Sequence, residues 1–127
     1  MRILIACALL AGCLPYDDDD FDDDHACTDS FNSVQVMVVD ASGAPVDGLE
    51  TVTRFEDNGQ ELRLVQSFGS GSYSIVDDSQ LPRISGNGEA VRFDARGTRG
   101  AVAGQFLIGS DGCHVEKIDG PDKLVLP

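Results

Sequence analysis

A repeated alternation of short strand-forming runs and turn residues limits the folds that this chain can adopt. Residues 34–39 are almost all apolar and mostly β-branched, and Asn58-Gly59 suits a tight hairpin turn. No window of the sequence has a sustained helical period with capping residues. Runs spaced roughly 8 to 12 residues apart are typical of sandwiches, so we predict an all-β, antiparallel, Greek-key-like sandwich of about seven strands.

The predicted strands alternate apolar and polar residues, which places every second side chain on one face of a sheet. Thr53 and Phe55 are expected to share the inner face with Leu49 and Thr51. In the run 89–96, Val91, Phe93 and Ala95 are expected to face the core. The predicted strands cover residues 34–39, 49–55, 61–68, 72–76, 89–96, 101–108, 113–118 and 123–126.

The first 13 residues have the layout of a secretory signal. Arg2 gives a positive start, an apolar run over 3–10 follows, and Leu-Ala-Gly-Cys ends at Cys13. The apolar run is short of the roughly 20 residues that a membrane-spanning helix needs. Leu-Ala-Gly-Cys resembles the lipobox of bacterial lipoproteins, whose Cys receives a diacylglyceryl group and becomes the first residue after cleavage. The alternative is an ordinary signal peptide cut nearby, which would leave Cys13 as a free thiol.

The lipobox resemblance implies three segments and a location. Residues 1–12 would be the signal peptide, and residues 13–26 would be the lipidated Cys13 with an acidic tether. Residues 27–127 would be the folded domain. The protein would be held in the bacterial cell envelope by its lipid, usually palmitate and related acyl chains. Leu14 occupies a position where Asp is a retention signal in some lineages, so it favours the outer membrane.

The tether contains seven aspartates within residues 17–24, interrupted only by Phe21. A run of like charges repels itself and cannot bury apolar area, so we expect it to be disordered and solvated. One interpretation is a simple spacer. Another is a surface-export signal, because acidic residues just after the lipidated Cys resemble such signals in some bacteria. The spacing of a calcium-binding EF-hand is absent.

The lipobox interpretation also sorts the four cysteines. Cys7 would leave with the signal peptide and Cys13 would carry the lipid, which leaves Cys27 and Cys113. In an oxidising envelope such a pair predicts a disulfide bond. The alternative is a metal site formed by the two cysteines with His25 and His114. Zinc-type ligand spacing is missing, and neighbouring residues of a strand point to opposite faces, so the disulfide is favoured.

The turn after the first predicted strand has a distinctive composition. Pro45 fixes its φ angle near −65°, while Gly43 and Gly48 allow bends that other residues resist. With Val46 and the flanking strands, this turn resembles the opening of carboxypeptidase-regulatory-like, transthyretin-like β-sandwich domains. The resemblance implies a sandwich for residues 27–127, and it implies no catalytic residues.

Charge and missing motifs narrow the function. The chain has a formal net charge of −13, which argues against nucleic acid as a partner. It has no Gly-X-Ser-X-Gly elbow and no evident cofactor motif. We therefore expect a non-catalytic binding or structural module that needs no cofactor. Its partners would be the membrane, through Cys13, and an envelope protein or polysaccharide. The alternative is an ion- or glycan-binding module or weak enzyme that uses acidic loops, with Asp77, Asp78, Asp111, Asp119 and Asp122 as candidates.

Overall fold

The computed structural model describes residue 27, residues 29–66 and residues 69–127. Strands dominate these residues, and the predicted all-β sandwich is confirmed, with eight strands that correspond to the eight predicted runs. The only helix within the described residues is a 3₁₀ helix over Asp78–Arg83. The strands are β1 (Ser33–Val39), β2 (Glu50–Phe55), β3 (Glu61–Leu62), β4 (Ser72–Asp77), β5 (Glu89–Gly97), β6 (Gly100–Ser110), β7 (Val115–Asp119) and β8 (Lys123–Val125).

The strands form a three-stranded sheet in the order β4-β1-β8 and a five-stranded sheet in the order β3-β2-β5-β6-β7. The chain passes between the two sheets after β1, β3, β4 and β7. All named strand pairs are antiparallel except β1 and β8, which run parallel from Met37 opposite Lys123 to Val39 opposite Val125. The prediction of antiparallel pairing is therefore wrong for this pair. The direction of a three-residue strand is set by its connection and not by its own side chains.

The core lies between the two sheets and follows the predicted alternation. Thr53 and Phe55 are buried on β2, and Val91, Phe93 and Ala95 are buried on β5, as expected. Strand alternation placed these side chains correctly because β2 and β5 bury one face and leave the other in contact with solvent. Further buried side chains come from both sheets, among them Val36, Val38, Tyr73, Ile75, Val76, Phe106, Ile108 and Leu124, and Leu126 follows directly after β8.

The turn between β1 and β2 has the bends expected from its glycines. Gly43 and Gly48 have φ angles of +86° and +75°, in the left-handed region that glycine adopts readily. The carboxylate of Asp40 accepts hydrogen bonds from the backbone N–H groups of Ser42 and Ala44. The Ser42 hydroxyl, the Ala44 N–H and the Arg99 guanidinium together hold the pKa of Asp40 well below its usual range.

The structure differs from the predicted elements in two places. The predicted strand over 61–68 is only the two-residue β3, and residues 67–68 lie outside the described residues. The 3₁₀ helix over Asp78–Arg83 lies between two predicted strands, and its last two residues, Pro82 and Arg83, fall in a stretch predicted to be a loop over 82–88. Asp77 begins it with a capping box, since its side chain accepts a hydrogen bond from Ser79 N and its N–H donates to the side chain of Gln80. This Asp-X-X-Gln signal was present in the sequence but lacked a helical run after it.

Candidate functional site

The predicted disulfide between Cys27 and Cys113 is present, with an S–S distance of 2.05 Å. It joins the start of the folded domain to the loop between β6 and β7, across a sequence separation of 86 residues. Oxidised sulfurs are not the thiolates that a zinc site needs. Among the residues that the structure describes, no three His, Cys, Asp or Glu side chains are grouped to hold a metal ion. His25 and Cys13 lie outside the described residues.

Beside the disulfide, the carboxylate of Asp78 joins three segments of the chain. One oxygen accepts a hydrogen bond from Asn32 N at 2.8 Å and lies 2.7 Å from Nδ1 of His114. The other oxygen accepts a hydrogen bond from Val115 N at 2.9 Å. The side chains of Asp78 and His114 are only 11% and 14% exposed. This arrangement holds the N-terminal segment, the 3₁₀ helix and β7 together.

These contacts change the ionisation of Asp78. Burial alone would raise the pKa of its carboxyl group, because it disfavours the charged form. The hydrogen bonds from Asn32 N, the His114 ring and Val115 N outweigh burial, so the pKa of Asp78 lies below its ordinary value. The carboxylate is therefore charged at neutral pH, and three internal hydrogen-bonding groups contact its two oxygens.

The other predicted acidic residues also have local structural partners. Asp111 accepts hydrogen bonds from the backbone N–H groups of His114 and Cys113, which lower its pKa. Asp77 caps the 3₁₀ helix, and Asp122 forms an ion pair with Lys117. Asp119 accepts a hydrogen bond from the N–H of Gly120. The structure brings Asp78 and Asp111 to the same end of the sandwich, where backbone donors use their oxygens.

An Asp–His pair can orient an imidazole for proton transfer, as in hydrolases with a nucleophilic side chain. Here the nearest cysteine in sequence, Cys113, is oxidised in the disulfide and cannot act as a thiolate. The backbone hydrogen bonds of Asp78 and Asp111 fix the loop between β6 and β7, and this structural role fits their contacts better than acid–base chemistry does.

A second candidate site lies on the outer face of the five-stranded sheet, which we call the arginine face. It combines exposed charged side chains of β2, β3 and β5 with small side chains of β6, around a shallow depression of about 560 Å³. The arginine face consists of Glu50, Val52, Arg54, Glu61, Arg63, Arg92, Asp94, Arg96, Ala101 and Ala103.

The strand register sets the order of charges on the arginine face. Arg54 of β2 lies directly opposite Arg92 of β5, and Glu50 lies opposite Arg96. Glu61 accepts a hydrogen bond from Arg54 at 2.8 Å, and its second oxygen lies 3.4 Å from Arg63. This contact lowers the pKa of Glu61 and raises the pKa of Arg54.

Sequence reasoning did not identify the arginine face. The signal was present in β5, where Arg92, Asp94 and Arg96 alternate with buried residues. Their clustering with Arg54 depends on β2 and β5 being neighbours, although β3 and β4 lie between them in the chain. That adjacency cannot be read from local patterns.

Two further observations concern the predicted membrane anchor and the similarity of this chain to known proteins. No helix within the described part of the chain is long and apolar enough to cross a membrane. Comparisons with protein-family models, with curated proteins and with solved structures gave no significant match. The resemblances to lipoproteins and to carboxypeptidase-regulatory-like domains therefore depend on residues 10–13 and 43–48 with their flanking segments, and both stay predictions.

Proposed function

We propose that this protein is a lipid-anchored module of a bacterial cell envelope, most consistent with the outer membrane. Its sandwich would bind a protein or polysaccharide of the envelope without catalysis. The observation that carries this proposal is the disulfide between Cys27 and Cys113. Disulfides of this kind form and persist in oxidising compartments, and they are rare in the cytosol. Leu-Ala-Gly-Cys at residues 10–13 supplies the matching export and lipidation signal.

The arrangement of the acidic residues supports a binding role over an enzymatic one. Asp78 and Asp111 were the strongest candidates for an ion site or an acid–base group. Asp78 accepts hydrogen bonds from backbone N–H groups on both of its oxygens, and Asp111 accepts those of Cys113 and His114, in its own loop, on Oδ1. These hydrogen bonds give both carboxylates a role in holding the fold, which explains their presence without a catalytic function.

Lipidation at Cys13 is tested by labelling with palmitate in a diderm bacterium that expresses the full chain. One diacylglyceryl group and one further acyl chain make attachment stable, whereas one chain holds only marginally. We expect the wild-type protein to be labelled and to sediment with membranes. Cys13→Ser should lose both properties, and Cys7→Ser is the matched control that should keep them.

The fractionation also has an outcome that would refute the proposal. If the Cys13→Ser protein were labelled and membrane-bound to the same extent as the wild type, Cys13 would not be the anchor. If the wild-type protein were found in the cytosol with its cysteines reduced, the envelope location would be wrong as well.

A further inference from the structure

We propose that the arginine face binds a polysaccharide that carries carboxylate groups. This inference rests on the proposed function, because it names the partner of the same envelope module. The arginine face holds four of the nine Lys and Arg residues of a chain whose net charge is −13. Arginines are thus gathered on one face of one sheet, and with its three carboxylates the face has a formal charge of +1 in a protein that is otherwise strongly acidic.

The register of β2 and β5 is the first argument. It places Arg54 directly opposite Arg92, and like charges in opposite positions of neighbouring strands destabilise a sheet. The side chains are 49% and 47% exposed, so packing of the core does not require arginine at either position. Glu61 and Asp94 partly offset the repulsion through ion pairs of 2.8 Å and 3.2 Å. An exposed arrangement that works against stability without a packing gain indicates a functional surface.

The second argument is the chemistry of the side chains. All four cations of the arginine face are arginines, and a guanidinium can donate two parallel hydrogen bonds to one carboxylate. Arg96 forms no ion pair with any other described residue, so its donors are available to a ligand. The acidic members of the face, Glu50, Glu61 and Asp94, can accept hydrogen bonds from hydroxyl groups.

A ligand that matches both sets of groups needs carboxylates for the arginines and hydroxyls for the acidic side chains. A uronic-acid polysaccharide has both on every sugar. A polymer that is only anionic, such as polyphosphate, would be repelled by the three carboxylates without offering them hydroxyl donors. The mixed charge of the face therefore selects a sugar acid.

The third argument is shape. Ala101 and Ala103 of β6 are exposed and small, and they leave a shallow open floor beside the arginines of β5. An extended polymer can cross such a surface without a deep pocket. None of the described residues that line the depression is aromatic. A neutral sugar would thus lack a ring on which to stack, and its hydroxyls would accept only single hydrogen bonds from the arginines, without the charge-assisted pair that a carboxylate forms.

The net negative charge of the molecule does not prevent this contact at physiological salt. The Debye length there is about 8 Å, so charges on distant parts of the surface are largely screened. The contacts at the arginine face then depend mainly on its own side chains. Lower salt should weaken the approach of an acidic polymer, because repulsion by the rest of the chain reaches further.

The test measures binding of the full-length protein in detergent to immobilised polygalacturonate, at physiological salt. The fully methyl-esterified polymer keeps the sugars but removes the carboxylate charge, and polyphosphate keeps the charge but removes the hydroxyls. We expect binding to polygalacturonate and at least about tenfold weaker binding to both controls, as loss of a charge-assisted hydrogen bond predicts.

Three variants locate the surface. Arg54→Gln and Arg92→Gln should each raise the Kd for polygalacturonate about tenfold. Lys123→Gln removes the same charge from an exposed position on the three-stranded sheet and should change the Kd less than twofold, since it lies off the arginine face. Thermal melting of each variant checks that the fold is retained.

Several outcomes would overturn the inference. The absence of binding to polygalacturonate, equal binding to the esterified polymer, or equal loss in Lys123→Gln would each do so. A wild-type dimer that Arg54→Gln dissociates, without polymer binding, would make the face a subunit interface instead. These results leave the palmitate experiment unaffected, so failure here and failure of the lipid anchor are distinguishable.

Discussion

At the scale of single residues, Asp78 has the most consequential contacts in the described chain. Its carboxylate joins Asn32 to His114 and Val115, which are far from Asn32 in sequence. The pKa of Asp78 in the folded protein lies below its ordinary value of 3.8. A carboxyl group with a lowered folded pKa stabilises the fold above its unfolded pKa, and this contribution is lost as the pH falls through the folded value.

We therefore predict that Asp78→Asn lowers the free energy of unfolding by about 2 kcal/mol at neutral pH, because a charged acceptor of three hydrogen bonds is lost. The difference from wild type should shrink steadily as the pH falls below about 4. Urea unfolding at a series of pH values measures both. Asp57→Asn removes the same charge from an exposed turn and is the control. A deficit in Asp78→Asn that is equally large at every pH would show that its charge is not responsible.

Among the elements, β4 is an outer strand of the three-stranded sheet, and the side chain of Gln66 covers its free edge. Gln66 donates a hydrogen bond from its amide to the backbone oxygen of Ser74 at 3.0 Å and accepts one from the backbone N–H of Ser74 at 2.8 Å. The same amide group donates to the hydroxyl of Thr51 at 3.0 Å. Gln66 thus pairs with β4 as a neighbouring strand would, and it protects an edge that could otherwise pair with another chain.

Replacing Gln66 with Ala should leave the buried N–H and C=O groups of Ser74 without these partners. We predict a loss of about 2 kcal/mol in the free energy of unfolding. Amide hydrogen exchange at Ser74 should also become faster. Gln105→Ala, at an exposed position of β6 with no side-chain hydrogen bond to another described residue, should have little effect. Equal losses in the two variants would mean that the edge contact contributes nothing specific.

Elements also show what the sequence could and could not predict. The alternation of β5 was predictable, because one face packs on the core and the other meets solvent. The shortening of β3 was not, because the chain after Leu62 leaves its sheet, and Gln66 bonds to β4 instead. The order of the strands within each sheet could not be predicted either, since pairing between distant segments leaves no local pattern in the sequence. The disulfide was predictable by counting cysteines, whereas the arginine face required the register of β2 and β5.

At the scale of the whole molecule, the disulfide determines where a pull on the N-terminal segment enters the sandwich. Strands β1 to β6 lie inside the loop that Cys27 and Cys113 close, and only β7 and β8 follow it. A load that arrives at Cys27 passes directly to Cys113. It therefore bypasses β1, which is the central strand of its sheet and the first strand along the chain after Cys27. For a domain held at its N-terminal end, this placement protects the core.

Stretching the protein between handles at residue 14 and Pro127 tests this placement of load. With the disulfide intact, the 86-residue separation between the two cysteines cannot extend, so unfolding should release about 300 Å less chain than after reduction. A variant with both Cys27→Ser and Cys113→Ser should give the longer extension without reductant. It should also be less stable by about 4 kcal/mol in the chain-entropy account of disulfides. If the protein extended equally with and without reductant, Cys27 and Cys113 would not be joined, and the load would enter the sandwich through β1.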